Sequence, residues 1–222
     1  LGTLKLLEIL KKLNNRPKIV LASSSSVYSK SGGKKSISEC FSTQPLTMYG
    51  QSKLSMEQIG NLYFRRNNMD IVIARPFFLI GGGKNNDVCS AYAKNIVEIE
   101  RGLKKEIEVG NLQIVRDFLD IEDGVSAFSI ISKKGLSGEV YNISSGKGYS
   151  LKKIISIFKN FSNSEFEEKI EKKWIRSIDD SYRVGDVSKL AKLGWKPNIN
   201  IEKSIKNILD YWRSEKLFNN VD

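Results

Sequence analysis

Histidine occurs nowhere in these 222 residues. That absence excludes Ser-His-Asp and Cys-His catalysis and the usual imidazole-bearing zinc and iron sites, so no metal centre is expected. Cysteine occurs only as Cys40 and Cys89, without the spacing of a metal knuckle or a redox pair, which suits a reducing cytoplasm. No apolar run reaches the roughly 18 residues of a membrane span, and no charged-then-apolar leader marks a secretory signal. Acidic residues are outnumbered, 25 against 36 lysines and arginines, for a net charge of +11. The excess is mostly lysine and is spread along the chain rather than gathered into a stripe. This fits a solvated surface, and an anionic, phosphate-bearing substrate, better than a nucleic-acid interface.

What is present reads as a soluble α/β chain, 40% hydrophobic and 27% charged. Leu4, Leu7, Ile9, Leu10 and Leu13 form a helical stripe stopped by Asn14, Asn15 and Pro17. Lys18 to Ala22 is a short continuous apolar run, as expected of a parallel strand buried on both faces. Four serines, Ser23 to Ser26, follow at its carboxyl end, where open parallel sheets gather ligand chemistry. A polar loop over 29–45 leads to a helix running from Tyr49 to about Asn67, with Met56, Ile59 and Tyr63 on its buried face. A second buried strand, Asp70 to Ala74, completes a βαβ unit. Further on, the pattern predicts a helix from about Asp87 to Gly102, a strand over Glu106 to Gly110 and a helix capped by Asp120. It then predicts a strand over Val140 to Ile143 and helices over 151–161, 187–193 and from Ile201 to about Glu215. Gly83-Lys84 is not a phosphate loop, because Asn85 replaces the required hydroxyl and the upstream glycine spacing is wrong.

Tyr49 and Lys53 lie four residues apart, on one face of their helix. An ammonium beside a phenol favours the phenolate and makes the tyrosine a proton donor or acceptor near neutral pH. Alone, the pair reads as an ordinary amphipathic face. Its setting decides. Ser24 follows one strand, Tyr49 and Lys53 sit on the next helix, and Arg75-Pro76 follows the next strand. The series continues through Arg116-Asp117-Phe118-Leu119-Asp120, the stretch Glu139 to Gly146, Gly185-Asp186, Leu193-Gly194-Trp195-Lys196-Pro197 and Leu209-Asp210-Tyr211-Trp212-Arg213. In this order the motifs resemble the extended short-chain dehydrogenase/reductases that act on nucleotide sugars, the NAD-dependent epimerase/dehydratase family. The resemblance covers essentially the whole chain. Val109-Gly110-Asn111-Leu112 and the Asp-Tyr-Trp-Arg ending look most like the GDP-6-deoxy-4-keto-hexose reductases, which form GDP-D-rhamnose from GDP-4-dehydro-6-deoxy-D-mannose. The near relatives are 4,6-dehydratases and 4-epimerases.

The resemblance implies an α/β fold: part of a Rossmann-like, doubly wound parallel sheet, with a smaller mixed α/β substrate-binding region. Residues 1–80 would be the remainder of the cofactor domain, and 81–222 interleaved substrate-binding segments and last Rossmann elements. It implies Tyr49 as general acid toward the sugar O4, Lys53 on the nicotinamide ribose, and Ser24 on the same sugar oxygen. Ala22, Ser23, Pro76 and Phe78 would line the NADP or NAD site. Phe78, Arg116, Arg176 and Asp179 would contact the diphosphate and nucleotide ribose of a GDP-linked sugar. A homodimer through the Tyr49 helix and the helix from Asp87 is likewise implied. Two departures matter. Ser26 stands where dehydratases of the family carry a glutamate, which argues against elimination chemistry. Phe78 stands where many relatives have a phosphate-bonding asparagine. The family's Gly-x-x-Gly-x-x-Gly turn is absent from the 222 residues; it is expected roughly 80 to 90 residues upstream of Leu1, making this chain a fragment that is idle or only ligand-binding by itself.

Overall fold

The computed structural model describes residues 2–33, 35–175 and 180–215. In order, the elements are α1 (Gly2–Leu10), β1 (Ile19–Ala22), a short 3-10 turn (Ser25–Val27), α2 (Met48–Asn67), β2 (Ile71–Pro76), β3 (Phe78–Ile80) and α3 (Val88–Glu100). They continue as β4 (Glu106–Val109), β5 (Val115–Arg116), β6 (Phe118–Asp120), α4 (Ile121–Lys134), β7 (Val140–Ile143), β8 (Tyr149–Ser150) and α5 (Leu151–Phe161). The last are β9 (Glu167–Ile170), a 3-10 turn (Lys172–Trp174), β10 (Tyr182–Arg183), α6 (Ser188–Ala191) and α7 (Ile201–Ser214).

The central sheet has the order β1-β2-β7, all parallel, with Ala22 paired to Ala74 and Pro76 to Ile143. β2 is the middle strand and is buried along Ile71 to Arg75, as its apolar run requires. Among the described strands β1 pairs with β2 alone; Val20 is half-buried and Ala22 exposed, where burial on both faces was expected. Three smaller sheets flank it: β10-β5-β8, β3-β6 and β4-β9. Among the described strands only the β5–β8 pair is antiparallel.

Side-chain caps start several of the helices. Thr47 accepts from Gly50 N at 3.1 Å to start α2, Asp87 accepts from Cys89 N at 2.9 Å to start α3, and Asp120 accepts from Glu122 N at 2.9 Å to start α4. α3, α5 and α7 pack together around Tyr92, Ile96, Phe158, Ile205 and Leu209. α4 covers the central sheet through Ala127 and Ile131 against Val72, Tyr141 and Ile143. On the opposite side, α1 and α2 meet β1 and β2 through Leu7, Leu21, Tyr63 and Ile73. One expectation changes here. The α1 stripe buries only Leu7 and leaves Leu4, Leu6, Ile9 and Leu13 exposed. The α3 helix packs its apolar face on α7 and α5. Among the described residues no helix is long and apolar enough to cross a membrane.

Candidate active site

The site forms where β1 ends. After Ala22 the chain turns sharply: Ser24 caps the 3-10 turn, its Oγ accepting from Ser26 N at 3.1 Å and donating to Ser26 Oγ at 3.2 Å. α2 passes directly over this turn. Gly50 lies so close that a Cβ there would overlap the Ser26 carbonyl oxygen. Three residues on, Lys53 Nζ donates to Ala22 O at 2.7 Å. One turn further, the Ser23 hydroxyl donates to Glu57 Oε1, and at Gly60 a Cβ would overlap Leu21 Cδ1. Positions 50, 53, 57 and 60 share a helical face, so one stripe of α2 meets Ser26, Ala22, Ser23 and Leu21, the end of β1 and its turn. Tyr49 flanks this stripe, 56% exposed, with the Lys53 ammonium 5.8 Å from its ring centre. Ala22, Ser23, Ser24, Tyr49 and Lys53 are thus gathered at one place.

Beneath them lies a buried ionic network. Glu57 and Arg75 form a two-bonded pair, Nη2 to Oε2 at 2.6 Å and Nε to Oε1 at 2.9 Å, with both side chains nearly inaccessible. Burial opposes the charge on Arg75, but the Glu57 hydrogen bonds prevail and raise its pKa. The guanidinium lies 4.8 Å from the Tyr28 ring centre. Tyr28 donates to Asn142 Oδ1 at 2.7 Å, and burial pushes its phenol up to about 12, so it stays neutral. Asn142 Nδ2 donates to Ile37 O at 2.9 Å. The network joins β1, α2, β2 and β7 and holds the polar 29–45 loop. Ser23, expected among the cofactor-lining residues, turns its hydroxyl into the core, onto Glu57.

A second group sits past the end of β2. Pro76 closes that strand, and Phe78 opens β3, its ring 6.1 Å from Phe118. The Arg116 guanidinium lies 5.3 Å from the Phe78 ring centre and donates to Asp180 O at 2.6 Å. Next to it, the fully buried Asp117 accepts from Ser145 N at 2.7 Å, Ser145 Oγ at 2.6 Å, Gly146 N at 3.0 Å and Gly185 N at 3.1 Å. Burial raises its carboxyl to about 6, against the pull of those donors. Arg183, on β10, donates to Ser25 O at 2.5 Å and so ties this region to the serine turn. Arg176 and Asp179 lie outside the described residues.

Sequence reading missed Glu57, Asp117 and Arg183 as parts of the site. One signal for Glu57 was available: a lone acid on a helical face shared with Gly50, Lys53 and Gly60 needs a buried partner.

With this geometry in hand, the comparisons become specific. The sequence model of the family described as GDP-mannose 4,6 dehydratase matches residues 1–208. The chain belongs to that family. It is thereby a member of the extended short-chain dehydrogenase/reductases, and its parallel sheets and flanking helices are part of their Rossmann-like fold. A GDP-6-deoxy-D-mannose reductase of Pseudomonas aeruginosa is 31% identical over 96% of this chain and 72% of its own length. A GDP-6-deoxy-D-talose 4-dehydrogenase of Aggregatibacter actinomycetemcomitans is 32% identical over 72% of this chain, which spans 52% of that relative. The structure of RMD from Pseudomonas aeruginosa complexed with NADPH superposes with a TM-score of 0.88 at 30% identity, over 96% of this chain and 72% of that one.

The residues present fit the nicotinamide-ribose end of such a cofactor. Ala22 offers a small exposed surface at the strand end, and Lys53 has one of its three N–H donors on Ala22 O, leaving an ammonium suited to ribose hydroxyls.

Proposed function

We propose that this chain carries the catalytic residues of a nucleotide-sugar oxidoreductase that reduces the C4 keto group of a GDP-4-keto-6-deoxy-hexose with NADPH or NADH. A bound nicotinamide cofactor supplies the hydride. Tyr49 donates the proton that the C4 oxygen takes up, Lys53 orients the ribose, and Ser24 hydrogen-bonds the same oxygen as its charge develops. Phe78 and Arg116, with Arg176 and Asp179, receive the nucleoside diphosphate, where Arg116 supplies charge-assisted hydrogen bonds. Ala22 and Pro76 flank the nicotinamide. The observation that carries the reading is the passage of α2 over the serine turn, with Gly50 on Ser26 and Lys53 on Ala22, which sets Tyr49 and Ser24 on adjoining elements.

Ser26, in place of a carboxylate, leaves no group in the serine turn to shuttle the protons of a dehydration. Reduction and 4-epimerisation both proceed without one, so the epimerase is the second reading. The test is to incubate the intact gene product with the GDP-4-keto-6-deoxy sugar and follow loss of reduced-cofactor absorbance. No oxidation, together with epimerisation of an intact nucleotide hexose, would transfer the assignment to the epimerase.

The exposed Leu6 and Ile9 of α1, a helix that packs on α2, belong to the face through which two copies pair. Sedimentation of a Leu6→Arg, Ile9→Arg variant as a monomer, against a dimeric parent, is the expected outcome. Free thiols at Cys40 and Cys89 support a reducing, cytoplasmic setting for it.

A further inference from the structure

The Glu57–Arg75 pair lies beneath the proposed reacting groups, touches none of them, and has no part in the chemistry above. A buried ion pair is weak evidence for stability, since well-packed apolar residues serve as well. What ions add is direction. Each oxygen of Glu57 is fixed: Oε2 by Arg75 Nη2, and Oε1 by Arg75 Nε and the Ser23 hydroxyl together. Arg75 is itself held, through the Glu39 carbonyl at 3.2 Å and its place at the end of β2. The Ser23 hydroxyl therefore meets an acceptor that cannot swing, and Ser24 is the next residue.

We propose that Glu57 is a positioning residue of this active site. Anchored by Arg75, it holds Ser23, and through the following peptide Ser24, in fixed register with the Tyr49–Lys53 face of α2. The stripe of α2 then acts at four points along one line: Gly50 sets the height of the helix over the turn, Lys53 binds the strand end, Glu57 fixes the rotation of the turn, and Gly60 seats the helix on Leu21. The inference rests on the reading of Ser24, Tyr49 and Lys53 as the reacting set.

Ser23→Ala removes one hydrogen bond and leaves the ion pair intact, so it is the primary variant. In the intact gene product it should lower kcat about tenfold or more, with KM for the nucleotide sugar and cofactor affinity each within about twofold of the parent, because misplacing a reacting group costs rate rather than binding. Ser23→Thr, which keeps the hydroxyl, should restore most of the loss. Glu57→Gln should lower kcat per folded molecule about 100-fold. A purely structural role would instead lower the melting temperature and leave kcat per folded molecule unchanged in both variants, which would overturn the proposal. So would a loss confined to cofactor affinity in Ser23→Ala, which would assign that hydroxyl to the cofactor. Parent enzyme that turns over no nucleotide sugar would instead sink the functional reading itself, and this one with it.

Discussion

The guanidinium of Arg116 lies 5.3 Å from the centre of the Phe78 ring, within reach of a cation–π contact. The aromatic cannot bond a phosphate oxygen, but its face attracts the arginine and helps hold it in place. Arg116→Lys loses both the fork of donors and the ring contact. GDP affinity measured by calorimetry should fall about tenfold, the equivalent of about 1.4 kcal/mol. Unchanged affinity would remove Arg116 from the nucleotide site.

Tyr49→Phe deletes a single hydroxyl from a half-exposed side chain that supports no part of the core. Folding and cofactor affinity should be unaffected, while kcat for keto reduction falls by about 10²- to 10⁴-fold, the usual worth of a positioned general acid. Steady-state kinetics with KM unchanged is the expected signature. A variant that keeps its rate would point to another proton source.

Arg75→Met leaves the Glu57 carboxylate in the core without its counter-ion. Removal of one partner of such a pair costs about 3–5 kcal/mol, read as a shift of the denaturation midpoint. Replacing both, Glu57→Leu with Arg75→Met, should recover most of that stability. Restored stability without restored turnover would separate the scaffold from its positioning use.

Asp117 titrates in an accessible range. Burial raises its carboxyl from 3.8 to about 6, so the folded state holds a proton more tightly than the unfolded chain does. The stability this contributes is fully present below about pH 4 and is lost as pH rises through about 6. The shift is equivalent to about 3 kcal/mol. Asp117→Asn cannot titrate, so the stability of the parent relative to this variant should decline across that window and level off above it. Denaturation curves from about pH 4 to 7 measure this, and a flat difference would contradict the assignment.

Much of the fold was readable from periodicity. α5 begins and ends at the residues its pattern marks, and the β1-α2-β2 unit stands where a buried run, a helix and a second buried run place it. The short strands escaped notice for a physical reason. β9 is Glu-Glu-Lys-Ile with every residue exposed, and β5, β8 and β10 are two residues long, too few to show any period. α1 misled because its leucines look like a core stripe, yet only Leu7 is buried, with Leu10 partly so. For the site, the order of Ser24, Tyr49 and Lys53 carried the inference. The Glu57–Arg75 pair did not show, since it joins a helix to a strand and each charge alone reads as surface. Asp117 was visible within its motif, but its partners Ser145, Gly146 and Gly185 come from two distant segments that no local pattern connects.

The contact between Gly50 and the Ser26 carbonyl bears on how the Tyr-x-x-x-Lys spacing tolerates change. The three intervening positions are unequal. Gln51 and Ser52 are exposed and accept almost any side chain. Gly50 accepts none: a single added carbon would strike the Ser26 carbonyl and stand 2.9 Å from the Pro45 Cβ, lifting the first turn of α2 and carrying the Tyr49 phenol with it. A methyl group there, with no chemistry of its own, would therefore change the distance from phenol to serine. Variation at position 50 gauges that separation directly, and a functional screen of the three positions should find the first closed and the other two open.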